Sequence, residues 1–242
     1  MANGDRYEGY FHEGQRHGQG KHKIHESEQE YDGDWVDGLP HGTGREVNPA
    51  GDVYVGGFEE GKKHSKGKLT KVDGTTYDGS WSNGVPHGRG KETIKGGPTY
   101  DGEYDNGLHH GPGTMTFADG STYVGEFVQG KRTDRGTHTN TDGDVYSGDF
   151  VNNQRHGQGK LTMKTASTSY EGAFESGLPH GEGTFVNAEG DTYTGDFEAG
   201  KRHGQGKLTM QNGRVAFDGG WADNQPHGHV TEITEKLDEY VG

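Results

Sequence analysis

The sequence has no cysteine, which removes disulfide frameworks and thiolate metal sites and is compatible with the cytosol. No apolar run approaches the roughly 18 to 20 residues of a membrane-spanning helix. The start, Met1-Ala2-Asn3-Gly4-Asp5-Arg6, lacks the apolar core of a signal peptide. The expectation is a soluble cytoplasmic protein, neither secreted nor transmembrane. Aliphatic residues are scarce: Leu, Ile, Val and Phe make up 33 of 242 residues, too few for the core of an ordinary domain of this length, which argues against a doubly wound, barrel or bundle enzyme. Basic residues number 24 against 38 acidic ones, a formal charge of −14, which argues against general binding to nucleic acid.

Glycine is abundant instead, at 47 residues. Composition alone would then indicate disorder, so only the order of residues can specify a fold. The glycines do not fall at every third position, which excludes collagen, and 24 aromatic residues exclude a simple Gly/Ser linker.

The order is periodic. The segment Tyr31-Asp32-Gly33-Asp34-Trp35-Val36-Asp37-Gly38-Leu39-Pro40-His41-Gly42-Thr43-Gly44 recurs in ten copies beginning at Tyr7, Tyr31, Tyr54, Tyr77, Tyr100, Tyr123, Tyr146, Tyr170, Tyr193 and Phe217, at spacings of 23 or 24. Counting each copy from that residue, an aromatic stands at positions 1 and 5 in all ten, and glycine recurs at positions 3, 8, 12, 14 and 21, which absorb 42 of the 47 glycines. Alternation at positions 1, 3 and 5 predicts a strand, and pairs such as Asp37-Gly38 and Asn83-Gly84 predict a tight hairpin with φ > 0. A two- or four-residue loop there puts positions 1, 3, 5, 12, 14 and 16 on one face, rings over glycines. The odd 23-residue repeat then requires the second connection to be an odd loop, such as a three-residue one, or to contain a bulge. The predicted fold is all-β: an elongated, twisted single-sheet antiparallel meander of about ten hairpins. Residues 1–6 are a lead-in, 7–228 the array, and 229–242 a tail in which Ile233, Leu237, Tyr240 and Val241 at helical spacing predict a short capping helix, with a partner-binding helix as the alternative.

The pattern Tyr-x-Gly-x-Phe/Trp-x-x-Gly-x-x-His-Gly-x-Gly resembles the MORN (membrane occupation and recognition nexus) repeat. Repeat six departs most, with Thr133-Asp134-Arg135-Gly136 in place of His-Gly-x-Gly, and repeat three has Ser65 at position 12. The resemblance implies scaffolding, as in protist cytoskeletal collars, ciliary radial-spoke heads and myosin-binding adaptors, and homodimerisation through terminal repeats. It places the protein in the cytoplasm, at a cytoskeletal or ciliary structure. Other proteins carry such repeats beside a lipid kinase, a histone methyltransferase or a membrane-anchored junction region.

Candidate sites follow from both readings. Tyr31, Trp35, Tyr77, Trp81, Tyr100, Tyr104, Tyr123, Phe127 and Trp221 are candidates for a groove that takes a helix or extended peptide of a protein partner; as the sheet also needs these rings, packing is their competing role. Lys62, Lys63, Lys66, Lys68 and Lys71 are candidates for a basic hairpin edge that binds phosphoinositides, in a membrane-associated adaptor. Position-11 histidines, among them His41, His110, His156 and His203, fall about 10 Å apart in successive repeats, too far to share a metal ion. Opposite Asp34, Glu103, Asp149 and Asp196, they are read as partners in a repeated structural hydrogen bond. Gly204-Gln205-Gly206-Lys207 is followed by Leu208 in a strand and is not a phosphate loop. No catalytic residue, metal or cofactor is expected.

Overall fold

A computed structural model describes residues 4–230. Its elements are twenty strands: β1 (Arg6–His12), β2 (Gln15–Lys23), β3 (Glu30–Val36), β4 (Leu39–Val47), β5 (Val53–Glu59), β6 (Lys62–Thr70), β7 (Thr76–Ser82), β8 (Val85–Thr93), β9 (Thr99–Asp105), β10 (Leu108–Thr116), β11 (Thr122–Val128), β12 (Lys131–Thr139), β13 (Val145–Val151), β14 (Gln154–Met163), β15 (Thr168–Glu175), β16 (Leu178–Val186), β17 (Thr192–Glu198), β18 (Lys201–Thr209), β19 (Val215–Ala222) and β20 (Gln225–Val230). The chain divides into two units, residues 1–131 and 132–242. Within each, consecutive strands pair antiparallel, as the repeat predicts. The capping helix expected within 229–242 lies outside the described residues apart from its first two, His229 and Val230, which belong to β20.

Each hairpin closes through a two-residue turn. In the second repeat Val36 pairs with Leu39, and Asp37 and Gly38 between them have φ of 48° and 79°. Both central residues are left-handed, the type I′ geometry whose twist matches the strands it joins. The ladder then slips: Asp34 pairs with His41, but Gly33 pairs with Gly44, leaving Gly42 and Thr43 as a bulge. The left-handed backbone recurs at position 12 throughout, including Ser65 (φ 57°) and Asp134 (φ 49°), so these departures from glycine keep the bulge. This corrects one expectation: position 12 does not lie under a ring. Position 3 faces position 14 and position 1 faces position 16, because the two-residue bulge shifts register while preserving parity.

In the 23-residue repeats the second connection is odd, as parity demands, and is the three-residue loop expected. Asn48 N–H donates to Asp52 O at 3.0 Å and Gly51 N–H to Asn48 O at 2.9 Å, enclosing residues 49–51, with Gly51 left-handed at φ 89°. Asp52 also accepts from Val72 N–H at 3.0 Å, stitching one loop to the next; Asp144 and Asp191 repeat this with Lys164 and Gln211. At the hairpin tips the position-8 amide of one repeat donates to the position-10 carbonyl of the one before, as from Gly61 to Pro40 and from Gly200 to Pro179.

The rings are the core. Eighteen aromatics at positions 1 and 5 are between 0 and 7% exposed. Position-5 rings meet edge-on the position-1 ring of their own repeat and, inside a unit, that of the repeat before: Phe58 lies 5.1 Å from Tyr54 and 4.9 Å from Tyr31, at interplanar angles of 89°. This edge-to-face geometry sets a positive ring edge against a negative face. Beneath each tyrosine sit the glycines of positions 3 and 14. A Cβ on Gly113 would lie 2.6 Å from Cε2 and Cζ of Tyr100, so no larger residue fits without moving the ring.

Candidate functional site

Tyrosine at position 1 has a polar role besides packing. The bulge leaves the position-4 carbonyl without its ladder partner, and the tyrosine hydroxyl donates to it: Tyr31 to Asp34 O at 2.9 Å, Tyr100 to Glu103 O at 3.0 Å, Tyr170 to Ala173 O at 2.8 Å. Burial disfavours the phenolate, and the pKa values of Tyr54, Tyr146, Tyr170 and Tyr193 are pushed up to about 12. Those of Tyr31, Tyr77, Tyr100 and Tyr104 are raised further. Trp35, Trp81 and Trp221 donate Nε1–H to the position-14 carbonyls of Gly20, Gly67 and Gly206 at 2.8, 3.0 and 2.9 Å. The Tyr104 hydroxyl, at a position otherwise held by Phe or Trp, is buried without a hydrogen-bond partner.

All nine rings chosen as groove residues lie on this one face, and none is more than 5% exposed. They are its floor. A partner approaching the face first meets the side chains above them, from positions 10 and 16. The five lysines are not brought together: β6 carries Lys62 at the hairpin tip, Lys63 over the Tyr54 ring, and Lys66 and Lys68 on the opposite face, while Lys71 begins the far loop. Lys63 is engaged by Glu46 at 2.6 Å, and Lys66 donates to Ser80 Oγ at 2.8 Å.

The histidine expectation is half met. Asp34 pairs with His41, Glu103 with His110 and Asp149 with His156 in the ladder. The aspartate carboxylates go elsewhere: Asp34, Asp149 and Asp196 accept from the position-13 bulge amides of Thr43, Gln158 and Gln205 at 2.8 to 2.9 Å. Several position-11 rings reach position 6 instead, His64 to Glu59, His180 to Glu175 and His203 to Glu198, each at 3.3 Å. The bulge is the reason, since it turns the amide and not the imidazole toward the acid. Among the described residues no group of three or more His, Asp or Glu is placed to hold a metal ion.

Arginines at position 10 form a feature absent from the sequence-based site candidates. They fold over the rings: Arg155 lies 5.5 Å from the Tyr146 centroid and 5.6 Å from Phe174, and Arg202 4.4 Å from Trp221 and 5.6 Å from Tyr193. Arg132 sits 5.4 Å from Phe150. The two-residue turn pairs position 10 with position 5, as Phe150 pairs with Arg155, and that register was the available signal. Around Arg155 opens a cleft of 570 Å³, bordered by His138, Leu161 and Met163.

An open meander of bulged, ring-floored β-hairpins is thus the class of protein that fold and site define. The MORN repeat family matches residues 7–23, 31–53, 54–76, 77–98, 100–122, 123–145, 146–165, 170–192, 193–213 and 217–229. The chain belongs to that family. No curated protein sequence matches it. Solved structures similar to it include the wild-type TCP10 domain of Danio rerio CPAP, at 16% identity over 81% of this chain and 97% of that one, with a TM-score of 0.38. The CPAP G-box domain is similar at 11% identity over 88% and 96%, with a TM-score of 0.30. The SAS-4 (dCPAP) TCP domain of Drosophila melanogaster, in complex with a proline-rich motif of Ana2 (dSTIL), is similar at 11% over 72% and 81%, with a TM-score of 0.23.

Proposed function

We propose that the protein is a non-enzymatic protein-interaction scaffold of a cytoskeletal or ciliary assembly, taking a helix or extended peptide of its partner along the ring face. The observation that carries this reading is the cleft around Arg155, where half-buried Leu161 and Met163 and a cation stand over a floor of rings. Such a surface combines apolar area with a few polar groups to set orientation. The opposite face carries a cleft of 840 Å³, but charged and polar side chains such as Glu182 and Thr184 line it, and cross-strand ion pairs such as Lys160–Glu171 at 3.1 Å occupy it. Proximity labelling followed by pull-down tests the reading. A partner retained by the native protein and by Thr184→Arg, on the opposite face, but lost with Leu161→Arg, is the expected result. Release by Thr184→Arg alone, or robust turnover of a substrate without any stable partner, would overturn it.

A further inference from the structure

The ring face differs between the two units in one respect that bears on what binds it. In residues 1–131, two position-16 side chains are glutamates, and each reaches the position-10 side chain of the following repeat: Glu46 Oε2 to Lys63 Nζ at 2.6 Å, and Glu92 Oε2 to His109 Nε2 at 3.6 Å. In residues 132–230 the equivalent neighbours of Arg155 and Arg202 are His138 and Phe185. Neither arginine forms an ion pair among the described residues. Arg202 donates from Nη2 to Asn224 O at 3.0 Å, and the contacts of the Arg155 guanidinium are the Tyr146 and Phe174 rings. The carboxylate on the cleft lining, Asp144, has both oxygens committed to loop donors, accepting from Lys164 N–H of the next loop at 2.8 Å and from Asn140 Nδ2 of its own at 3.0 Å.

Half-buried cations thus stand in an apolar setting without the counter-charge that Glu46 supplies to Lys63. In residues 1–131 Arg16 resembles them, 4.2 Å from the Trp35 ring and donating to Gly38 O, and no preceding repeat among the described residues supplies it a carboxylate. A charge held partly out of water gains most from an opposite charge that arrives with its own hydrogen bonds. Burial lowers the pKa of Arg155 and Arg202, as it does that of Arg16.

We infer that the ring face of residues 132–230 takes an acidic peptide of a partner protein, a carboxylate standing beside Arg155 where Glu46 stands beside Lys63 and apolar side chains lying on Leu161 and Met163. This rests on the scaffold reading and names the chemistry of its partner. Arg155 and Arg202 are two repeats apart, four strand spacings, or about 19 Å. An extended peptide crossing the strands would therefore carry its two acids about six residues apart. A peptide is favoured over an anionic membrane because the guanidinium groups are half-buried over ring faces, while of the exposed tip residues beside them Gln154 is uncharged and Lys201 is paired with Asp223 at 2.7 Å.

Fluorescence anisotropy with a labelled peptide of Glu and Leu residues, its Gln-for-Glu counterpart and vesicles containing phosphoinositide tests the inference. The Glu peptide should bind at least about tenfold more tightly than the Gln peptide, as expected for one desolvated charge-assisted contact, with affinity falling as salt rises. Arg155→Met, which keeps the apolar stem over the rings, should remove that preference. His138→Glu should also remove it by supplying the carboxylate internally, with the thermal midpoint unchanged or higher, so lost binding is separated from lost folding. Lys160→Glu, on the opposite face, should bind as the native protein does. Equal binding of the Glu and Gln peptides overturns the inference, and if both are displaced by Leu161→Arg the scaffold reading survives it. Binding of vesicles but not of the Glu peptide, abolished by Arg155→Met, overturns it in favour of an anionic membrane.

Discussion

The first repeat and the interior repeats have the same motif and a different fate for one ring. Phe11 at position 5 is 58% exposed, whereas Phe58 at the same position is 5% exposed. Among the described residues Phe11 meets one ring, Tyr7 at 5.0 Å, while Phe58 meets both Tyr54 and Tyr31. Burial at position 5 is therefore supplied by the preceding repeat and not by the hairpin that carries the ring. A single repeat cannot complete its own core, which is why stability in such an array accumulates by neighbour contacts. Tyr10, 73% exposed beside Phe11, belongs to the same incomplete end.

The largest effect should come from alkali, which acts on all interior tyrosines together. The phenols of Tyr31, Tyr54, Tyr77, Tyr100, Tyr104, Tyr146, Tyr170 and Tyr193 have folded-state pKa values above the usual 10.0, about 12 for Tyr54 and Tyr146. The neutral form is the one favoured by the fold, so its stabilisation is fully present below pH 10 and is lost as pH rises from 10 toward 12. Thermal melts should show the midpoint falling across that window, with tyrosinate absorbance appearing together with unfolding and not before it. A midpoint that stays flat to pH 12 would contradict the buried phenols.

Phe58→Ala should cost about 3 to 5 kcal/mol in urea unfolding, as for large-to-small changes in a packed core. Gly113→Ala places a methyl against the Tyr100 ring and should cost about 1 to 3 kcal/mol by overpacking. Asp149→Ala removes the acceptor of the bulge amide of Gln158, at 2.9 Å, and should cost about 1 kcal/mol at this solvent-facing site. Phe11→Ala should cost less than about 1 kcal/mol, since much of its ring is already in water. If Phe11→Ala were as damaging as Phe58→Ala, the preceding repeat would not be what buries position 5.

Much of the fold was legible from residue order. The 23-residue period, the Asp37-Gly38 turn and the alternation of Tyr31, Gly33 and Trp35 report local geometry, because turn chemistry and strand parity act over a few residues. The bulge at Gly42 was not legible: a register slip of two leaves parity intact, so alternation alone does not reveal it. Reading the hairpin without that slip placed Asp34 against the His41 side chain instead of the Thr43 amide. The candidate groove rings were identified as one face, but their burial was not, because it depends on Tyr31 reaching across to Phe58 from a different repeat.

By itself the sequence determined that the chain is a glycine-floored array of ten hairpins, since each repeat encodes its own strands, turns and ring positions. Only the tertiary structure decided which side chains stand above the rings, and hence what a partner would meet. That choice depends on pairing position 10 with position 5 and on whether position 16 of the previous repeat is Glu46 or His138. Contacts between repeats set the charge of the surface, and no single repeat contains them.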